Sequence, residues 1–164
     1  MNKTRMTLAV LSLSAAGFVG ILQREDYREK AYPDPTYGWK VPTVGFGTTE
    51  GVKQGDSLKV VPAIERALVD ASQFEGALKK CVKVPLSQAE YDLYVNFSYN
   101  VGSAGFCGST IVQQLNRMDY VRACDAILMW KMSNGQDCSA PGNRTCSGLW
   151  KDRLKAHKTC MDAQ

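Results

Sequence analysis

Histidine is nearly absent: His157 is the only one in 164 residues, and that scarcity removes several chemistries. A zinc site built on two or three histidine ligands cannot be assembled from this chain. A histidine-activated Ser or Cys nucleophile would have to use His157, seven residues from the C-terminus. No Cys pair has CxxC spacing, so zinc-finger or thioredoxin-like chemistry lacks its basis. No run of five or more Lys or Arg occurs, and aromatic residues make up only 9%, too sparse for a nucleic-acid reader. No metal, nucleotide or organic cofactor motif stands out. What these absences leave for a hydrolase is carboxylate chemistry.

The net charge of +4 fits either a solvated surface or attraction to an anionic polymer, and charge alone does not separate the two. The length suits one domain, or two small lobes sharing a core, and a 45% hydrophobic content is enough to fill it. Six cysteines all lie between Cys81 and Cys160. An even count with no metal spacing reads as up to three disulfides, formed outside the cytoplasm. Six cysteines allow fifteen connectivities and the sequence does not choose among them. The working expectation is Cys81–Cys107, Cys124–Cys160 and Cys138–Cys146.

The N-terminus pairs a basic start, Lys3 and Arg5, with an uncharged stretch from Met6 to Leu22. Twelve of its 17 residues are apolar; Thr7, Ser12, Ser14, Gly17 and Gly20 dilute them. As a helix it would span about 25 Å, marginal for a hydrocarbon core of roughly 30 Å. The basic start would keep the N-terminus cytoplasmic and send the rest outward. A cleaved signal peptide using Ser14-Ala15-Ala16 and a permanent anchor are both open readings. The favoured expectation is a weak signal-anchor: residues 6–22 tether the chain to the inner membrane, then leave it.

From Gln23 to Lys30 the chain is densely charged, and from Ala31 to Gly55 it is rich in Pro, Gly, Tyr and Thr. Thr43 to Thr48 alternates small and apolar residues, as a short strand with close backbone approach does. Ile64, Leu68, Ala71, Phe74, Ala77 and Leu78 recur at helical spacing and predict a helix over 62–80. Ser87-Gln88-Ala89-Glu90 is a capping box that opens another, ended by Gly102 and Gly105. Helices over 109–117 and 119–131, a loop over 133–149 and a last helix from Trp150 to Met161 follow. The expected fold class is α+β and mainly helical. A sheet lobe over 31–60, the connecting helix and a helical lobe over 81–164 make up a catalytic unit spanning 24–164, preceded by residues 1–23. A cleft between two such lobes suits a polymer.

Hydrolysing a glycosidic bond takes one carboxylic acid to protonate the leaving oxygen and a second carboxylate on the opposite side. Glu25, Asp26, Glu29 and Asp34 are the candidates. Glu25, Ala31-Tyr32-Pro33-Asp34 and Thr43-Val44-Gly45-Phe46-Gly47-Thr48 together resemble the active-site segment of phage-type lysozymes. That pattern is Glu, eight residues, Asp, five residues, Thr, then an apolar-Gly-apolar-Gly tail. Here the second gap is also eight, and the three extra residues fall within 35–40, a turn-rich stretch where insertion is tolerated. Asn96 to Gly102, Phe106 to Thr110 and Ser147 to Arg153 resemble further segments of the family. The last is similar to a Gly-Leu-x-x-Arg-Arg start, with Asp152 replacing the first Arg.

The resemblance implies a two-lobed, monomeric lysozyme acting on peptidoglycan, exported to the periplasm and needing no cofactor or metal. It implies Glu25 as general acid, Asp34 as the ionised partner and Thr43 as the hydroxyl that holds water, with inversion at the sugar. Asn100 and Arg153 are expected to support Glu25 as hydrogen-bond and charge partners. It also implies that residues 18–24 form the family's first helix, so that a bilayer-held N-terminus leaves the acid unplaced. Two rivals remain: a lytic transglycosylase, which needs no water site, and an inactive wall-binding module.

Overall fold

The computed structural model describes residues 4–34 and 37–164. The chain begins in extended form, with Met6 bridging Leu86 antiparallel, a single 3₁₀ turn at Leu8–Val10 and another extended stretch to Ser14. Helix α1 (Ala15–Glu25) follows, then the hairpin β1 (Arg28–Asp34) and β2 (Gly38–Gly45). Helix α2 (Val60–Cys81) leads into the helical lobe. There α3 (Gln88–Val101), α4 (Ser103–Cys107), α5 (Thr110–Leu115) and α6 (Tyr120–Ala126) precede a small hairpin of β3 (Met132–Ser133) and β4 (Gln136–Asp137). Helix α7 (Ser147–Asp162) closes the chain.

Local chemistry accounts for the boundaries. Both legs of the capping box form at α3: the Ser87 hydroxyl accepts from Glu90 N–H and the Glu90 carboxylate accepts from Ser87 N–H. The expected first helix over 18–24 starts earlier, at Ala15, because Ser14 Oγ accepts from Gly17 N–H at 3.0 Å and caps it. The preceding residues are not helical, since their groups bond elsewhere. Leu13 N–H donates to Glu75, Ser14 N–H and hydroxyl donate to Asp92, and Lys79 donates to the Leu11 carbonyl. Strand β1 begins at Arg28, inside the charged stretch and ahead of the expected sheet start at residue 31. Its first three residues are exposed, so no apolar alternation marks them. The β3–β4 hairpin begins at Met132, one residue ahead of the expected loop over 133–149, and its two-residue strands are too short for a period. The end of that loop belongs to α7, which starts at Ser147 rather than Trp150.

The main core lies in the helical lobe and includes Tyr91, Tyr94, Phe97, Phe106, Leu115 and Ile127, with Leu11 and Ile21 contributed from the N-terminal segment. A second, smaller cluster of Phe46, Ala63 and Ala67 sits under the sheet lobe. Phe18 of α1 packs against both clusters, and Leu22 joins it on the second. Helix α1 therefore fastens one lobe to the other, and its last residue is Glu25. The cysteines pair as Cys81–Cys107, Cys124–Cys160 and Cys138–Cys146, the expected connectivity. Among the described residues no helix is long and apolar enough to cross a membrane. Lys3 lies outside the described residues.

Candidate active site

Glu25 ends α1, where the helix dipole presents its negative pole and disfavours a carboxylate. The chain then reverses through Asp26 at φ 57°, a left-handed value that a non-glycine residue adopts at a cost. Tyr27 N–H donates to Asp26 Oδ1 within that turn. The reversal delivers the chain into β1 with Glu25 facing the turn after β2. Gly47 faces it there at φ 83°, and a Cβ at this position would stand 2.9 Å from Glu25 Oε2. Only glycine fits on both counts.

Among the described residues nothing donates a hydrogen bond to the Glu25 carboxylate, and it is largely buried. Burial pushes its carboxyl from 4.5 up to about 6; the neighbouring Arg24 cation opposes the shift and Asp152 adds to it. A carboxylic acid in this state keeps its proton into the weakly acidic range, the property a general acid needs.

The other two candidates lie on the β1–β2 hairpin that follows. Thr43 sits directly across the hairpin from Tyr32, and Asp34 pairs with Gly38 two positions further along β1. Thr43 is buried, and its hydroxyl donates to the Val41 carbonyl at a long 3.4 Å, a weak tie. Asp34 Oδ1 accepts from Tyr37 N–H at 2.8 Å, so this carboxylate shapes the turn that holds the three extra residues. Residues 35 and 36 of that insertion lie outside the described residues. Tyr32 and Tyr99 both feel the Glu25 charge, and burial pushes both phenols upward. Tyr99 donates to the Phe46 carbonyl at 2.9 Å and packs against Phe74 with the rings tilted at 45°. A cavity of about 210 Å³ opens beside them, lined by Gly47, Thr49, Glu50, Asp70, Phe74 and Tyr99. Behind its wall Thr48 Oγ1 donates to Asp70 at 2.5 Å and ties the β2 turn to α2. Among the described residues no cluster of three histidine, cysteine or carboxylate side chains stands ready for a metal ion.

Residues 23–155 match the family model described as phage lysozyme. The chain belongs to the phage lysozyme family. It is 33% identical over 133 residues to the endolysin of Salmonella phage P22, a match covering 78% of this chain and 88% of the relative. It is 32% identical over 130 residues to the SAR-endolysin of Pseudomonas phage phiKMV, covering 78% and 79%. Among solved structures it is similar to the endolysin from Escherichia coli O157:H7 phage FAHEc1, at 26% identity and a TM-score of 0.76, covering 98% of both chains.

The phage lysozyme match starts two residues before Glu25, yet the segment ahead of it is part of the fold. The last two expected site residues sit differently from the expectation. Arg153, buried to 3% exposure, donates to Asn100 Oδ1 at 2.8 Å and to the Trp130 carbonyl at 3.1 Å, over the Phe97 ring. Arg153 and Asn100 bond each other, and among the described residues neither bonds Glu25. The reason is position: Asn100 is one residue from the end of α3, and the buried Arg153 guanidinium is taken up by its side chain and by the Trp130 carbonyl. Burial, and then the Arg24 cation, bring the Arg153 guanidinium down to about 10, still charged at neutral pH. Arg24, Gly47, Tyr32 and Tyr99 carry no assigned role in the sequence pattern, although they bear on Glu25 in the fold. Tyr32, Gly47 and Tyr99 fall inside segments that resemble the family, and their glycine and aromatic character was the available signal.

Proposed function

We propose that this chain is a phage endolysin: a muramidase that hydrolyses the β-1,4 bond between N-acetylmuramic acid and N-acetylglucosamine in peptidoglycan and so lyses the host cell. One observation carries the reading. Glu25 is a largely buried carboxyl with no donor on it among the described residues, ending the helix that joins the lobes and held against Gly47. Protonated, Glu25 gives its proton to the glycosidic oxygen as the bond breaks. Asp34 stays ionised and stabilises the oxocarbenium-like transition state. Thr43, weakly held by Val41, orients the attacking water through its hydroxyl. Attack by water on the opposite face from the acid gives inversion.

Family membership and endolysin relatives support the reaction class, and relatives bearing the SAR-endolysin name support the membrane-tethered start. In that state residues 6–22 lie in the inner membrane with the N-terminus cytoplasmic. The donors of Leu13 and Ser14 and the apolar side chains of Leu11, Phe18 and Ile21 are then withdrawn from the domain. The enzyme works in the periplasm, as a monomer, after the segment folds back.

Mass analysis of digested peptidoglycan tests the reaction. Reducing muramic ends are expected, and they require water at the anomeric carbon. Anhydromuramyl ends would identify a transglycosylase and remove the roles given to Asp34 and Thr43.

A further inference from the structure

The turn that faces Glu25 is tied to the helical lobe. Val44 and Thr48 close it with two backbone hydrogen bonds, of 2.9 and 3.1 Å, leaving Gly45, Phe46 and Gly47 at its apex. Both glycines have left-handed φ, 65° and 83°. Glycine accepts either sign of φ, so the backbone by itself does not fix the plane of the Phe46–Gly47 peptide. Tyr99 of α3 reaches across from the other lobe. Its hydroxyl donates at 2.9 Å to the Phe46 carbonyl, in the peptide that leads into Gly47, the glycine packed against the acid.

Packing alone does not ask for that hydroxyl. The Tyr99 ring lies 4.9 Å from the Phe74 ring of α2 and borders the main core, and a phenylalanine ring would fill the same place. The hydroxyl adds a directed tie between the lobes. Phe46 belongs to the small cluster under the sheet lobe, and Tyr99 to the helical lobe. A peptide turned away from Tyr99 would shift Gly47, which now stands too close to Glu25 Oε2 to carry even a Cβ. The cavity that Gly47, Phe74 and Tyr99 line would then open toward the carboxyl.

We propose that Tyr99 is a positioning residue for the acid: through its bond to the Phe46 carbonyl it holds Gly47 against the Glu25 carboxyl and keeps water from it. The inference rests on the reading of Glu25 as general acid. Burial is the largest cause of the raised Glu25 titration, so a loosened turn lowers it. The charges acting on Glu25 are Arg24 of its own helix and Asp152 of α7, and Asp26 lies in the following turn. Tyr32 of β1 and Tyr99 are both pushed upward, so neither phenol carries a charge where Glu25 titrates.

The test uses the full chain in its folded, membrane-free form, with two readouts: the Glu25 carboxyl titration by carbon-13 NMR, and kcat and KM on soluble peptidoglycan fragments across pH. In Tyr99→Phe, which keeps the ring, kcat falls about tenfold while KM changes less than about twofold. The Glu25 titration and the alkaline limb of the kcat profile both move to lower pH, by about half a unit. Tyr120→Phe removes a phenol–carbonyl bond of 3.0 Å to Pro85 within the helical lobe and leaves both readouts in place. A Glu25 titration that stays put in Tyr99→Phe, or moves as far in Tyr120→Phe, overturns the proposal. A loss confined to KM overturns it too, since Tyr99 would then be a sugar contact. An active Glu25→Gln variant overturns instead the reading of Glu25 as the acid on which the proposal rests.

Discussion

Glu25 illustrates how a single side chain can be costly to the fold and useful to the chemistry. Its carboxyl titrates near 6 in the folded chain against 4.5 for a free glutamate. The folded state therefore holds a proton that the unfolded state has released across that window, and stability declines as pH rises through it. Above pH 6 the burden is fully present, at about 2 kcal/mol. Glu25→Gln should raise the unfolding free energy by about that amount at pH 7, and the gain should vanish by pH 4. Urea melts at the two pH values check both the size and the sign. Gly47 sets the same site from the opposite side, since any side chain there collides with the acid. The expectation of Glu25, Asp34 and Thr43 came through the resemblance to phage-type lysozymes, which chose among carboxylates that composition alone left equal. The surroundings that tune Glu25 were not readable there, since one of the charges acting on it, Asp152, is 127 residues away.

At the scale of elements, the N-terminal segment has to satisfy two environments. Its glycines and serines lower its hydrophobicity, and in the folded chain they meet α3 in different ways. A Cβ on Gly17 would stand 2.7 Å from Asp92 Cγ and 2.8 Å from Leu13 Cδ1, whereas on Gly20 the nearest atom is Asn96 Nδ2 at 3.5 Å. Gly20→Ala should therefore stabilise the folded chain by about 1 kcal/mol through helix propensity, and Gly17→Ala should destabilise it. Chemical denaturation of the two variants side by side reads the difference. Arg5 also serves twice. Read in the sequence as a charge that holds the N-terminus inside, it donates in the folded chain to Glu90, fully buried, and to Gln164, and it lies over Tyr120. Arg5→Ala removes the cation from that buried carboxylate, leaving it only neutral donors, and should cost about 3 kcal/mol. Lys158→Ala, which breaks the exposed Lys158–Asp162 pair, should cost no more than about 0.5 kcal/mol in the same melts. A partner 85 residues away leaves no mark on local spacing, so the Arg5–Glu90 pair was invisible before the fold. The capping box at Ser87 and Glu90, four consecutive residues, was fully visible.

Across the whole molecule, the three disulfides all lie from Cys81 onward, and none reaches the sheet lobe or α1. The acid-bearing part is held without a disulfide, by packing and by polar contacts: Ile21 and Leu11 in the main core, Phe18 between the two clusters, and the carboxylates of Glu75, Glu90 and Asp92 on the segment ahead. The α2 helix and the order of lobes were legible because long periodic runs fix them. The β1 start and the β3–β4 hairpin were not, because exposed or two-residue strands carry no apolar period. Removing residues 1–22 should abolish activity by leaving α1 too short to join the lobes, with loss measured on purified peptidoglycan; full activity in the remainder would separate the segment from the site. The most direct test of the account compares the full chain with Glu25→Gln on permeabilised Gram-negative cells, following turbidity at weakly acidic pH. We predict a loss of at least about a hundredfold in the variant while its urea melt shows it folded. Equal clearing by both would contradict the assignment of Glu25 as the acid and, with it, the mechanism built on that residue.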